Sequence, residues 1–253
     1  MSGMSLLPLG VGDAFSGRYY SSCLALHADG ASPSWLLIDC PHPIRKLMRE
    51  ASASAGVQLD VAQLTAVVLT HLHADHSSGL EGFGFFSRFT LERRAILLSH
   101  PVVAARLWDG HLAGGMEVAL QGPGVPAIER TVADFFDVRP LDCEKAVSVG
   151  PFRLRCRLTN HTVPTTALRV EAAGRTLGYS ADTAFDPDLI AWLSDADLIV
   201  HETNPGFLHT PYDQLAALPE ALRIRMRLIH YPDQFDLDNS AIEPLRQGRY
   251  YTV

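Results

Sequence analysis

A dense cluster of histidine and aspartate follows a run of β-branched residues in the segment VVLTHLHADHSSGLEGF, residues 67–83. Alternation along an extended or turning chain lets His71 and His73 project to one side, while Asp75 and His76 come off the following bend. Desolvating so many imidazoles is costly unless they gain a partner. Imidazole and carboxylate suit Zn²⁺ and also Mn²⁺ or Fe²⁺, so the cluster predicts a metal site and leaves the metal open.

Further histidine and aspartate residues end apolar stretches that predict strands elsewhere in the chain. They are His161, Asp182, His201 and His230. Predicted strands and helices interleave throughout, and polar residues at strand ends emerge along one edge of a packed sheet. We therefore expect one pocket to collect them with His71, with the carboxylate of Asp182 shared between two metal ions.

The overall composition bounds the class of protein. A chain of 253 residues that is 47% hydrophobic can bury a real core, which predicts a single α/β domain over residues 1–253. The formal charge of −7 disfavours a nucleic-acid partner, because affinity for phosphate backbones needs clustered Lys and Arg. No leader pattern and no run of about 18 apolar residues is present, so a cytoplasmic protein without membrane contact is expected. A small-molecule substrate is the expected partner, and a homodimer is left open.

The four cysteines are scattered and form no C-x-x-C pair, so neither a zinc knuckle nor a redox pair is indicated. Buried, reduced thiols are the interpretation for all four: Cys23, Cys40, Cys143 and Cys156.

The pattern H-x-H-x-D-H, followed by His161, by SADT with Asp182 and by His230 after a late apolar stretch, resembles the metallo-β-lactamase fold superfamily of metal-dependent hydrolases. The resemblance spans nearly the whole chain, from LPLGVGD to LIHYPD. It implies an α/β fold, a four-layer αβ/βα sandwich of two mixed β-sheets with flanking helices. It also implies two divalent metal ions, with Zn²⁺ favoured and Mn²⁺ or Fe²⁺ as alternatives.

The resemblance implies roles for individual residues. The first ion would take four ligands: His71, His73, His161 and Asp182. The second would take another four: Asp75, His76, Asp182 and His230. Asp39, in LLIDC, matches an acid that supports the metal loop from outside the ligand set. Asp75 is also implied to be catalytic, since it would orient a metal-bridging hydroxide.

The segment ADLIVHET resembles the H-E-A-T segment of the phosphodiesterase branch, which includes ribonuclease Z and small cyclic phosphodiesterases of phosphonate metabolism. The resemblance implies that the bridging hydroxide attacks phosphorus and that His201 is the general acid for the leaving oxygen. Glu202 is a candidate to hold the His201 ring. Only residues 162–181 separate His161 from Asp182, where the tRNA-processing enzymes insert a long basic arm. A small or cyclic phosphodiester therefore fits better than tRNA.

Candidate substrate contacts follow from position alone. Ser16 and Arg18 lie in a loop near the expected edge of the site, and Thr165 closely follows His161. The glycine-rich stretch 109–126 has no clear period and predicts a long, mobile loop that borders the site as a lid.

Alternative functions remain open at this point. The first is hydrolysis of a lactone, thioester or lactam by the same two-metal site, and another is a ribonuclease Z-like RNA endonuclease. A diiron redox protein is disfavoured, because that branch places an acidic residue where this chain has His73 or His76. A non-catalytic metal-binding scaffold is disfavoured by the near-complete ligand set.

Overall fold

Two mixed β-sheets form the centre of the computed structural model, which describes residues 3–29, 34–119 and 122–253. The first sheet is built from these strands: β1 (Met4–Gly10), β2 (Cys23–Ala28), β3 (Ser34–Ile38), β4 (Leu64–Leu69), β5 (Ala95–Ser99), β8 (Phe136–Pro140) and β15 (Tyr251–Thr252). Their order across the sheet is β15, β1, β2, β3, β4, β5, β8. Strands β3, β4, β5 and β8 run parallel to one another, and the pairs on the β1 side are antiparallel.

The second sheet is built from the later part of the chain. Its strands are β9 (Val147–Val149), β10 (Phe152–Leu158), β11 (Thr166–Ala172), β12 (Arg175–Tyr179), β13 (Leu198–Glu202) and β14 (Met226–Ile229). They lie in the order β14, β13, β12, β11, β10, β9, and the pairs β12–β13 and β13–β14 are parallel. A separate short hairpin pairs β6 (Val118–Ala119) with β7 (Ile128–Glu129).

The helices lie between and after these strands. The α-helices are α1 (Ile44–Ala55), α2 (Ala74–Ser77), α3 (Leu80–Phe85), α4 (Pro101–Ala104), α5 (Ala113–Met116), α6 (Val132–Phe135), α7 (Pro187–Leu193), α8 (Tyr212–Ala216) and α9 (Glu220–Arg223). A 3₁₀ turn covers Val61–Gln63, and π-helical turns cover Phe86–Thr90 and Trp108–Leu112. None of the helices in the described residues has the length and apolar composition needed to span a bilayer.

Hydrophobic periodicity explains how these elements pack into layers. In β10, Phe152, Leu154 and Cys156 are buried, and the intervening Arg153 and Arg155 are exposed, as expected for a strand with one covered face. Strand β4, LTAVVL, is buried on both faces and is almost continuously apolar, as is usual for a parallel strand covered on both sides.

Three buried clusters define four layers. The central cluster joins the facing sides of the two sheets, for example Leu26 and Val68 with Leu168 and Val200. A second cluster packs the outer face of the first sheet under α1 and α3, and a third packs the outer face of the second sheet under α7 and α8. The order helix, sheet, sheet, helix confirms the four-layer α/β sandwich that the sequence predicts.

Sharp backbone turns follow several strands at one end of the sandwich. Three non-glycine residues there have positive φ: Asp39 (63°) after β3, Ala181 (49°) near the end of β12 and His230 (59°) after β14. Such conformations are strained for residues with a Cβ and are concentrated at functional sites. The strand ends therefore mark the edge where the functional site should be sought.

The stretch 109–126 is more ordered in secondary structure than the sequence predicts. Its described part contains most of the π-helical turn Trp108–Leu112, helix α5 and strand β6, while residues 120 and 121 lie outside the described residues. The expectation of one long irregular loop is therefore wrong: glycine-rich composition hides short helical turns whose apolar residues Leu112 and Met116 pack into the core.

Candidate functional site

A cavity of about 530 Å³ lies at this end of the sandwich. Its floor is lined by polar residues that come from several elements and that the sequence predicts as metal ligands: His73, Asp75, His161, Asp182 and His230. Two further predicted ligands, His71 and His76, are completely buried beneath the floor. Parallel strands place their carboxyl ends together, which explains why residues distant in sequence meet here.

The first group of four donor side chains lies in the loops that follow β4, β10 and β12. The Nε2 atom of His71 lies 3.2 Å from Nδ1 of His73, and that Nδ1 lies 3.1 Å from Nε2 of His161. The carboxylate Oδ2 of Asp182 is 3.8 Å from His71 Nε2 and 3.7 Å from His161 Nε2. One donor atom from each of these residues lies within 4.8 Å of the others, which suits a metal ion.

The second group shares Asp182 with the first. Nε2 of His76 lies 3.3 Å from Asp75 Oδ2 and 3.4 Å from Asp182 Oδ1, and Nε2 of His230 lies 3.4 Å from Asp182 Oδ2. Helix α2 carries Asp75 and His76 directly after the strand that leads to His71. Asp182 therefore lies between two donor groups, in the position of a bridging ligand.

Hydrogen bonds fix which ring nitrogen of His230 and of His161 faces the centre. The Ser22 hydroxyl donates to Gly12 O, so it accepts from His230 Nδ1 at 3.1 Å. The carbonyl oxygen of Leu208 lies 3.1 Å from His161 Nδ1 and can only accept. With a proton held on Nδ1, the lone pair of each Nε2 points to the centre, as a metal ligand requires.

The predicted support from Asp39 has a clear geometry. Its Oδ1 accepts from the backbone and hydroxyl of Thr70, and its Oδ2 accepts from Nδ1 of His76 at 2.8 Å. The Thr70 hydroxyl in turn lies 3.0 Å from Nδ1 of His71. Asp39 thus orients one histidine from each donor group, directly and through one hydroxyl.

The electrostatics of the floor also favour a cation. Burial lowers the pKa of His71, His73 and His161, which keeps these rings neutral and their lone pairs free. Burial works against ionisation of Asp182, but the surrounding imidazoles, His230 and His76 first, hold its pKa well below the ordinary value. Three imidazoles kept neutral by burial, beside an ionised carboxylate, offer lone pairs that suit a divalent cation. His76 differs, because despite its burial the carboxylates of Asp182, Asp75 and Asp39 raise its pKa.

Two buried atoms at the centre have no hydrogen-bond partner within the described chain. They are Nε2 of His76 and Oδ1 of Asp182, and both belong to the second donor group. Buried polar atoms are rarely left unsatisfied, because the cost of desolvation is not recovered. A divalent ion would satisfy both, so the residues present fit the two-metal centre that the sequence predicts.

The structure does not bring His201 to this site. Its side chain is fully buried outside the cavity lining, its Nδ1 lies 2.8 Å from Glu202 O, and burial lowers its pKa to about 4. Its partner across the sheet, Leu228, belongs to the cluster under α7 and α8, so His201 faces the helices. His201 therefore lies outside the cavity lining, and its predicted role as general acid finds no support in this position.

A different histidine, His209, lines the cavity in its place. Its ring stacks on His230 with 5.3 Å between centroids and lies edge-on to His161 at 5.1 Å. Glu202 is buried on the face of β13 opposite His201, and its Oε1 accepts from His209 Nδ1 at 2.9 Å. Glu202 therefore holds a histidine, as expected, but that histidine is His209.

The predicted substrate contacts also lie outside the cavity lining. Ser16 donates to Asp233 Oδ1 at 2.5 Å, and Arg18 contacts the same residue through its backbone N–H and its guanidinium, so both stabilise a turn. Thr165 is fully buried, and its hydroxyl donates to Val163 O. Their positions in the sequence predict that these residues lie near the site. The sequence does not reveal that their polar groups form hydrogen bonds within the protein.

The predicted lid, residues 109–126, contributes no described residue to the cavity lining. Its His111 is linked to α2, where Nε2 lies 3.3 Å from the carbonyl oxygen of Ser77. The cavity mouth is formed instead by residues 13–15, 204 and 206–209, which the sequence does not single out as site residues.

Comparisons with known proteins agree with this architecture. In a search of solved structures, YhfI from Bacillus subtilis, a metallo-β-lactamase fold protein, superposes with a TM-score of 0.74 at 16% identity, covering 99% of this chain and 100% of that one. The fold implied by the sequence motifs is thereby confirmed.

Sequence relatives identify the family. A model of the family "Anti-Pycsar protein Apyc1" matches residues 4–251. The anti-Pycsar protein Apyc1 of Saccharibacillus brassicae is 33% identical over 99% of this chain and 100% of its own length, and that of Paenibacillus harenae is 30% identical over 92% of each. Family and fold agree with the expectation of a metal-dependent hydrolase. The chain belongs to the anti-Pycsar protein Apyc1 family.

Proposed function

We propose that the protein is a dinuclear metal-dependent phosphodiesterase that hydrolyses a small or cyclic phosphodiester, with cyclic nucleotides as the favoured class. The observation that carries the proposal is the Glu202–His209 pair beside two groups of metal ligands in one cavity. Phosphodiester hydrolysis needs charge neutralisation at phosphorus and a proton for the departing oxygen. This cavity offers a candidate for each task.

The metal ions have a defined role in this proposal. When bound, two divalent cations would neutralise the phosphate charge and lower the pKa of the attacking water. Two Zn²⁺ ions are favoured because most of the donors are imidazoles, and Mn²⁺ or Fe²⁺ remain the alternatives. Asp75, which lines the cavity floor, would orient that water through its carboxylate.

His209 is the candidate general acid. Its Nδ1–H is held by Glu202, so its Nε2 is the nitrogen free to carry a proton towards the substrate. Burial, together with the nearby carboxylate of Asp182, raises the pKa of Glu202. The proton on His209 would pass to the leaving oxygen as the phosphorus–oxygen bond breaks.

The size and charge of the site favour a small substrate. A cavity of about 530 Å³ is in the range of small-molecule sites, and the chain carries a net charge of −7. Nucleic-acid binding would require a basic surface to contact many phosphates. These observations support a mononucleotide-sized substrate over RNA.

A parallel assay tests the proposal. The Zn²⁺- or Mn²⁺-loaded protein is offered 3′,5′-cyclic nucleotides, bis(p-nitrophenyl) phosphate, a lactone and a β-lactam. We expect turnover of the phosphodiesters and none of the carboxylic substrates. Turnover of the lactone or β-lactam alone would replace this function with the alternative that uses the same metals.

A further inference from the structure

Two phenylalanines stand at the cavity with their rings in solvent. Phe15 is 94% exposed and Phe207 is 90% exposed, and both line the cavity whose floor holds the metal ligands. Neither belongs to the buried clusters that stabilise the sandwich. Single exposed apolar residues are ordinary, but two exposed phenyl rings at the cavity that holds the predicted metal ligands form an apolar feature that the fold does not need.

The backbone that carries these rings is held in place. Asp13 is buried; its Oδ1 accepts from Phe15 N at 3.0 Å, and its Oδ2 accepts from Asn204 Nδ2 at 2.8 Å. The Oδ1 of Asn204 then accepts from Gly206 N at 3.3 Å, directly before Phe207. The contact between the Asp13 carboxylate and the Asn204 amide therefore connects the two loops and holds the backbone next to both phenylalanines.

The two ends of the cavity differ in chemistry. The floor presents imidazoles and carboxylates, whereas the mouth presents two phenyl faces whose neighbouring polar side chains, Asp13 and Asn204, already bond to each other. A ligand with an anionic end and a planar, uncharged end would match both. Stacking on a phenyl ring depends on a π-face and not on a hydrogen-bonding edge.

We propose that Phe15 and Phe207 form a stacking subsite for the nucleobase of the substrate, which rests on the proposed phosphodiesterase function. The subsite recognises the presence of a base rather than its identity, since phenyl rings read no donor or acceptor pattern. Purine and pyrimidine cyclic nucleotides should therefore have KM values within roughly tenfold of one another. A substrate without a base loses this contribution.

A matched pair of substrates isolates the subsite. The kinetics of metal-loaded wild-type protein are compared on a nucleoside 3′,5′-cyclic monophosphate and on 1-O-methylribose 3′,5′-cyclic phosphate, which has no base. Phe15→Ala and Phe207→Ala should each raise KM for the nucleotide by roughly 5- to 100-fold, the range of base–aromatic stacking, with little change in kcat. Neither change should affect the substrate without a base. Ile224→Ala is the control, since Ile224 is 66% exposed outside the cavity lining.

Other results would overturn the subsite. Equal effects of the alanine variants on both substrates would assign the rings a general role, and unchanged KM on both would remove them from binding. Loss of a wild-type dimer in sedimentation of Phe15→Ala or Phe207→Ala would place the rings in a subunit interface instead.

The subsite can be tested even if the phosphodiesterase function fails. If no cyclic phosphate is hydrolysed by the metal-loaded protein, calorimetry compares binding of a nucleoside 5′-monophosphate with ribose 5-phosphate. Tighter binding of the nucleotide, lost in Phe15→Ala, supports the stacking subsite alone. Equal affinities of the two ligands would reject it.

Discussion

The floor and the mouth of the cavity are built by different means. The floor side chains lie in loops after strand ends or, for Asp75 and His76, in the short helix α2. Most are buried, and each histidine is held by a second polar group. The mouth consists of two loops, residues 13–15 and 204–209, that display two phenyl rings and one histidine. The sheets fix the floor, whereas side-chain hydrogen bonds through Asp13 and Glu202 fix the mouth.

In the proposed function this difference separates two tasks. The floor retains the metal ions, and the mouth recognises the substrate. A change in the floor removes a donor from a buried, charged cluster, where the polar atoms that faced it would lose that partner. A change in the mouth removes an exposed group or its support and leaves the donors in place. Variants of the floor should therefore alter metal content, and variants of the mouth should alter kinetics at constant metal content.

The largest effect is expected from Asp182→Ala. Asp182 contributes to both donor groups, so its removal should reduce the bound metal from about two ions to fewer than one and reduce activity to background. Metal analysis after dialysis and turnover of a cyclic nucleotide measure both effects. Asp238→Ala, which removes an exposed carboxylate paired with Arg246, is the control and should retain both ions. Two ions retained by Asp182→Ala would show that the floor does not depend on a shared ligand.

The second effect concerns His209, which lies in the mouth but contacts the floor. His209→Ala should keep both metals and lower kcat by roughly 10²- to 10⁴-fold on a substrate with a poor leaving group, the range of a positioned acid. The loss should be much smaller on a p-nitrophenyl phosphodiester, whose leaving group needs no proton. Equal losses on both substrates would indicate that His209 only positions the substrate.

The third effect tests how the mouth is held. Asp13→Ala removes the carboxylate that connects Phe15 with Asn204, so the two loops should no longer be held in a fixed relative position. We expect KM for a cyclic nucleotide to rise by roughly tenfold, because the stacking rings are no longer held in position. Metal content and kcat should remain close to wild type. A fall in metal content would mean that the mouth also supports the floor.

The sequence predicts the floor well and the mouth poorly, and the reason is physical. An apolar run in the sequence predicts a buried strand, and the end of that strand lies at a defined edge of the sheet. Residues that directly follow such runs, such as His71 and Asp182, can therefore be located from the sequence. The mouth depends on contacts between loops distant in sequence, such as Ser16 with Asp233, and no periodicity reports them. Ser16 and Arg18 were predicted from proximity, whereas Phe15 beside them faces the cavity.

The different positions of His201 and Glu202 follow from strand alternation. Neighbouring residues of a strand face opposite sides, so His201 and Glu202 cannot both enter the site. The register confirms the alternation, since His201 pairs with Leu228 under the helices and Glu202 pairs with Ile229 in the central cluster. If Glu202 points into the site, its carboxylate needs a histidine to hold. His209, in the loop that follows, is that histidine in the structure.

The smallest effect on activity is expected at His201, where the change should appear in stability instead. The folded pKa of His201 is lowered by burial to about 4 from an ordinary 6.5, so below pH 6.5 the unfolded chain binds a proton that the folded chain does not. Wild-type stability is therefore fully present above pH 6.5 and is lost as the pH falls towards 4. At pH 5 the penalty is about 2 kcal/mol.

His201→Gln removes this titration and tests the assignment. Urea unfolding of both proteins in the presence of chelator, at pH 7 and pH 5, gives their free energies of unfolding. The variant should gain about 2 kcal/mol relative to wild type on going to pH 5, because it has no proton to take up on unfolding. The metal-loaded variant should hydrolyse a poor-leaving-group phosphodiester at close to the wild-type rate, since the His201 ring faces the helices. A large loss of kcat confined to such substrates would return the general acid to His201 and break the division between floor and mouth.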